Sequence, residues 1–269
     1  ESGHWSVQCN QQMFGALAVL AAEPDLEKYQ PAMSADEIRA LALDMFRYSL
    51  RTHLTGDLDC TDGRKWGKHW ISVLGLERAT PGINALEPYF TEEDRAMYRR
   101  VRIFESDYRL DEYPVQAAMD ARTGPNVPES NIWNAGFLMR TALDYPDLPQ
   151  GKAYLDKATS MMLNGISVPS DASSGETFNG KPVSEWYVGP NFTENYSLDH
   201  HGYMNMGYSF ICLSNVALLY FNFRQRGQQM PPEVLHHAQD LWNSVKHFVF
   251  PDGRLLRIGG DSRSRYNYC

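Results

Sequence analysis

From Gln11 to Ala22 the chain is apolar and rich in alanine, which predicts a helix closed before Pro24. The next polar stretch ends in Ser34-Ala-Asp-Glu37, a capping box in which serine and glutamate side chains satisfy each other's backbone N–H groups. It opens a helix with Ile38, Leu41, Ala42, Met45 and Ser49 on one face. Trp66 and Trp70 stand four apart and lead into Ile71, Val73 and Leu74, before Pro81-Gly82 interrupts the pattern. Thr91-Glu-Glu-Asp94 caps a further helix, on which Met97, Val101, Phe104 and Tyr108 recur at helical spacing.

A Gly/Pro loop over Arg122–Pro128 precedes another helix starting near Ser130. Tyr154, Leu155, Ala158, Met161 and Met162 form one more apolar face, and Val168–Asn191 is a long loop without helical period. Ser209–Phe223 is a strongly apolar helix, and Pro231-Pro232 starts a last one with Val234, Leu235, Ala238, Leu241, Val245 and Phe248 facing inward. About ten helices with almost no alternating strand pattern make the chain all-α. Pairs joined by alternately short and long loops fit an (α/α) toroid, an incomplete barrel of antiparallel helix pairs. It would form a single domain over 1–269 with a short strand and turn tail from Phe250. A plain bundle and a helical repeat array compete with it, and the lack of a fixed-period motif weighs against the array.

With 269 residues, 43% of them hydrophobic, the chain can bury a sizeable core. A net charge of −8 argues against nucleic acid or an anionic membrane as partner, since both demand a basic field. The apolar stretch Phe210–Phe223 is interrupted by Ser214, Asn215 and Asn222 and is shorter than the roughly 20 residues of a membrane span. The N-terminus carries no basic and apolar leader, so the chain is either intracellular or already processed. Cys9, Cys60, Cys212 and Cys269 match no zinc or CxxC spacing and read as free thiols. His236-His237 has no partner at metal-ligand spacing and reads as part of a surface helix, so no metal or other cofactor is expected.

The stretch that no core helix needs is Asn191–Tyr208, which concentrates two histidines, three tyrosines, amides and carboxyls at the mouth of the apolar helix. Its two glycosylation sequons, at Asn191 and Asn195, fall inside this cluster, where a glycan is not expected. Glu129-Ser-Asn-Ile-Trp-Asn134, then His201-Gly-Tyr203 with Tyr208, then Pro251-Asp-Gly-Arg254 with Gly260-Asp-Ser-Arg263, resemble the toroid domain of the heparinase II/III-like polysaccharide lyases. The resemblance covers about Trp66–Tyr268, and the doubled His200-His201 and the several tyrosines depart from it. It implies a β-sandwich domain after the toroid, before which this chain would be truncated, and a secreted or periplasmic protein whose leader has been removed. The implied partner is an acidic, uronic-acid-containing polysaccharide or oligosaccharide.

Such a lyase removes the C5 proton of a uronic acid and expels the sugar on O4 by β-elimination, which requires neutralisation of the carboxylate, a base and an acid. Asn134 is the leading neutraliser and Asn131 the second, three apart at the start of one helix where unpaired N–H groups favour an anion; Asn131 or Ser130 can instead simply cap that helix. His201 is the expected base with His200 as alternative, and Tyr208 the expected acid with Tyr203 as alternative. Among the tryptophans, Trp133 and Trp186 are expected to offer ring faces to sugars, and Arg263 and Arg265 to hold uronate carboxylates; core tryptophans and solvated arginines are the plain alternatives. A glycoside hydrolase using two of Asp107, Asp111, Glu129, Glu194 and Asp199, or a non-catalytic carbohydrate-binding domain, are the competing functions.

Overall fold

A computed structural model describes residues 2–119, 127–200 and 202–256. About 60% of the protein is helical, with only short strands and no closed barrel, so the all-α expectation holds at that level. The chain gathers into two compact units, Glu1–Tyr113 and Pro114–Cys269.

In the first unit the helices are α1 (His4–Ala21), α2 (Ala35–Arg51), α3 (Leu74–Leu86) and α4 (Glu92–Asp111). Both expected capping boxes form: Ser34 Oγ accepts from Glu37 N while Glu37 Oε2 accepts from Ser34 N, and Thr91 and Asp94 do the same. Arg47 donates from Nε and Nη2 to the two Asp94 oxygens at 2.9 Å each, a bidentate bond that ties α2 to the head of α4. α1 packs against both α2 and α3. Contrary to the sequence reading, Pro81-Gly82 does not end a helix, because α3 runs through it. A Cβ on Gly82 would overlap the Gly15 backbone, and one on Gly15 would lie 2.8 Å from Ala79 Cα, so small residues let the two backbones touch. That close packing offsets the hydrogen bond lost at proline.

The inward face of α4 also differs from the one expected. Met97 and Val101 are buried, but so are Arg102, Glu105 and Arg109, whereas Phe104 and Tyr108 are only half-buried. The Glu105 carboxylate accepts from the Lys68 backbone N–H at 2.7 Å, from Ser72 Oγ and from Arg109 Nη1 at 2.7 Å, and His53 Nε2 lies 3.0 Å from it. Arg109 Nη1 also donates to the Glu105 carbonyl, and Nη2 to Ser72 Oγ. Gly67, at φ +132°, leaves no room for a Cβ against His53 and Glu105. Burial pushes the Glu105 carboxyl up, but the His53 hydrogen bond and the Arg109 charge outweigh it and hold its pKa at about 2.

In the second unit the helices are α5 (Pro128–Asp144), α6 (Gly151–Leu163), the single turn α7 (Val183–Trp186), α8 (Met206–Gln225) and α9 (Ala238–Val245). Two small hairpins accompany them, β1 (Thr177–Phe178) with β2 (Lys181–Pro182), and β3 (Asp199–His200) with β4 (Tyr203–Met204). The turn of the first is Asn179-Gly180, both at positive φ, the pairing that two-residue hairpins favour. α5 starts where expected, with Pro128 in its first turn, and is buried all round from Pro128 to Ala142. It packs against α6 and α8, and α8 packs against α9.

α5 and α8 run parallel. Asp144, at the end of α5, pairs with Arg226, just after α8, at 3.1 Å, while Glu129 in the first turn of α5 helps burial to raise the thiol of Cys212 in the second turn of α8. α8 is longer than the apolar stretch singled out in the sequence, and by length and composition it is long and apolar enough to cross a membrane; half of its apolar window is buried against the rest of the protein, as in a core helix. The last expected helix is interrupted: a 3-10 turn over Pro232–Leu235 and then α9 are separated by His237 at φ +54°. Leu235, expected inside, is exposed.

Candidate functional site

α5 is a helix with no solvent-facing side over its first four turns, yet it carries Glu129, Ser130, Asn131, Asn134, Arg140 and Thr141. Polar groups buried in this way have to find partners. Ser130 Oγ donates to the Val127 carbonyl and Thr141 Oγ1 to Phe137. Burial lowers the Arg140 guanidinium to about 9, with Asp144 acting in the opposite sense.

Asn131 is engaged by the backbone. Its Nδ2 donates to the Gln116 and Asn164 carbonyls at 2.8 and 3.0 Å, and its Oδ1 accepts from Gln116 N at 3.0 Å. Asn191 repeats the pattern, donating to the same two carbonyls and accepting from Ala118 N. Asn164 extends it to Trp186 and Val188. The three amides brace otherwise irregular segments, so Asn131 acts as a structural tie rather than as an open anion ligand, and Asn191, the acceptor of the first sequon, is fully buried. Asn134 also has no exposed surface; its Nδ2 donates to Ser130 O one turn back, at 2.8 Å.

The second line of residues comes from the β3–β4 hairpin and the head of α8. Asp199 pairs with Met204 and His200 with Tyr203 across the hairpin, and Gly202 takes φ +84° between them. Asn205 then caps α8, its Oδ1 accepting from Tyr208 N, while Asn205 N donates back to Leu198 O. This geometry folds His200 onto Tyr208: their ring centroids lie 3.8 Å apart, with planes inclined by 56°. Both rings are buried and Tyr203 is half-buried. His201, the first choice as base, lies outside the described residues, as do Arg263 and Arg265. The buried Oδ1 of Asp199 has no hydrogen-bond partner among the described residues.

Trp66, Trp133 and Trp186 fall to the core. Trp186 clusters with Leu163, Phe178 and Val183, its indole N–H donates to the Phe178 carbonyl, and Lys181 Nζ stands 4.7 Å over its ring. Trp133 is buried within α5, and Trp66 is buried with its N–H on the Ser49 carbonyl. Of the carboxylates, Glu194 clamps Ser170 through both oxygens. Glu129 is buried near Cys212, and Asp107 and Asp111 belong to α4 in the first unit.

Sequence reasoning missed a third cluster altogether. Asp171, in the long loop, lies 2.9 Å from His237 Nε2 and 3.6 Å from His236 Nε2, so the two histidines assigned to a surface helix have an acidic partner after all. The separation of 65 residues from Asp171 to His236 leaves no local spacing by which to recognise it. Compared with known protein families, with curated proteins and with solved structures, the chain matches none.

Proposed function

We propose that the protein is a polysaccharide lyase that cleaves a uronic-acid-containing glycan by β-elimination, with His200 as base and Tyr208 as acid. The observation that carries this reading is the contact between the two rings. The C5 proton and the O4 leaving group of a uronate sit on adjacent carbons, so the groups that take one proton and give the other must themselves be neighbours. A histidine nitrogen and a phenolic oxygen are suited to these two steps, and a carbohydrate-binding core would have no need of the pair.

The parallel course of α5 and α8 adds a field of the right sign. The positive dipole ends of both helices lie at the same end of the unit, and they favour the carboxylate of the sugar and the negative charge that builds up as C5 loses its proton. Asn134 is the amide assigned to the carboxylate, since Asn131 is committed to the backbone. Tyr203, which pairs with His200 across the hairpin, is the alternative acid. Successive helix pairs whose first members run parallel also suit an (α/α) toroid, which we take as the architecture of this unit.

The test is a panel of uronic-acid glycans, sulfated and unsulfated, followed by ultraviolet absorbance and by reducing ends. Elimination leaves a C4–C5 double bond conjugated with the carboxylate and raises both signals. Reducing ends without absorbance would mean hydrolysis, and binding without either would mean a non-catalytic module.

A further inference from the structure

We propose that Asp171, His236 and His237 form a site for a divalent transition-metal ion, zinc being the ion that best fits the donors, which clamps the long 168–191 loop to the head of α9. One Asp171 oxygen and one nitrogen from each histidine lie within 4.8 Å of one another. Two imidazoles and one carboxylate are a donor set of borderline softness, suited to zinc and its neighbours rather than to calcium or magnesium. Ligand distances of about 2.0–2.1 Å in a tetrahedron place donor atoms roughly 3.3 Å apart. Asp171 Oδ1 lies 2.9 Å from His237 Nε2 and Asp171 Oδ2 lies 3.6 Å from His236 Nε2, both close to that spacing.

Several features are hard to account for by a simple ion pair. The Nε2 of His236 is buried and has no hydrogen-bond partner among the described residues, although it points at Asp171. A buried imidazole nitrogen in that position is costly unless something binds it. His237 holds φ +54°, a left-handed conformation unusual for a residue with a Cβ, and it breaks what would otherwise be one continuous helix. The break is what turns two consecutive histidines toward the same carboxylate. The outer atoms are supported as well: Tyr196 Oη and Asp240 Oδ2 lie 3.0 and 3.3 Å from His237 Nδ1, the arrangement that fixes ring orientation around a metal ligand. Asp171 is held from the other side by the Val168 N–H at 3.0 Å.

Three protein ligands leave a fourth position for solvent, and the largely exposed Glu176 carboxylate lies 3.8 Å from the other nitrogen of His236, Nδ1, on the rim of the cluster. The site is independent of the proposed lyase chemistry, and its expected effect is structural. A metal here would fasten the loop that carries the β1–β2 hairpin and α7 to α9, joining segments that are distant in sequence.

The experiment is a metal titration of the chelator-treated, dialysed protein. With Zn²⁺, calorimetry should give one site per chain with micromolar or tighter affinity, and a zinc concentration about 100-fold above Kd should raise Tm by roughly 5 °C or more. Co²⁺ should produce the intense visible absorption of a tetrahedral N/O site, a readout that needs no variant. In His236→Asn and Asp171→Asn the affinity should fall at least about 100-fold, while the exposed-histidine control His247→Asn binds as the parent does. Absence of stoichiometric binding by the parent protein, an octahedral cobalt spectrum, or unchanged binding in both site variants would overturn the proposal.

Discussion

The imidazole of His200 rests against the phenol of Tyr208 with 3.8 Å between ring centroids, although one residue ends a two-residue strand and the other lies in the first turn of a long helix. The Gly202 turn and the Asn205 cap create this contact, since together they reverse the chain within eight residues of sequence and return it over its own start. If the contact is a base and an acid serving one elimination, losing either partner should cost about as much as losing both. Tyr208→Phe keeps the ring and its packing, so Tm should change little while turnover falls roughly 100-fold or more. Activity within a few-fold of the parent would move the acid to Tyr203.

His200→Gln should lower turnover by a comparable factor, and His200→Gln with Tyr208→Phe should be little worse than either alone. His201→Gln is the control. If its loss is the larger and His200→Gln retains activity, the neighbouring histidine is the base.

Asn131 and Asn134 stand three apart on α5 and should separate cleanly. Asn131→Ala leaves the Gln116 N–H without its acceptor in a buried site and removes one of the two amide donors on each of the Gln116 and Asn164 carbonyls, so it should destabilise by roughly 1–3 kcal/mol, visible in Tm, with kcat/KM of the folded fraction close to that of the parent. Asn134→Ala removes a buried amide that donates to Ser130 O and should also lower Tm, but with a large fall in kcat/KM of the folded fraction. Equal behaviour in both assays would remove Asn134 from the chemistry.

The chain announces its helices more clearly than their inner faces. Ser34-x-x-Glu37 and Thr91-x-x-Asp94 specify two helix starts through bonds that involve only neighbouring residues, and both form as read. On α4 the same local reading failed, because charged residues at 102, 105 and 109 look like a solvated face. The partners of Glu105, namely His53, Lys68 and Ser72, come from a segment more than 30 residues away. His236-His237 failed for the same reason, as Asp171 is absent from the local window. Pro81 was misjudged because the small residues that let α3 meet α1 lie on both helices and show only when the two are brought together. Asn179-Gly180, by contrast, was a legible hairpin signal that went unused.

Buried Glu105 gives a pH prediction. Its pKa is lowered from the ordinary 4.5 to about 2 in the folded protein, so its contribution to stability is complete above the unfolded value and is lost as pH falls through the folded one. Tm of the parent should therefore fall between about pH 4.5 and pH 2 more steeply than that of Glu105→Gln. At neutral pH the variant should be less stable by roughly 3–5 kcal/mol, since it leaves Arg109 buried without its counter-charge. Parallel pH profiles for the two proteins would mean that the cluster is not ionised as described.

Elimination from a uronate by the His200–Tyr208 pair is tested by the ultraviolet absorbance of products formed from a panel of uronic-acid glycans by the parent protein and by Tyr208→Phe at equal concentration. The account predicts absorbance growing in step with new reducing ends for at least one glycan, and a rate roughly 100-fold lower or less for the variant at unchanged Tm. Reducing ends that appear without absorbance, or absorbance that the variant produces as fast as the parent, would contradict it.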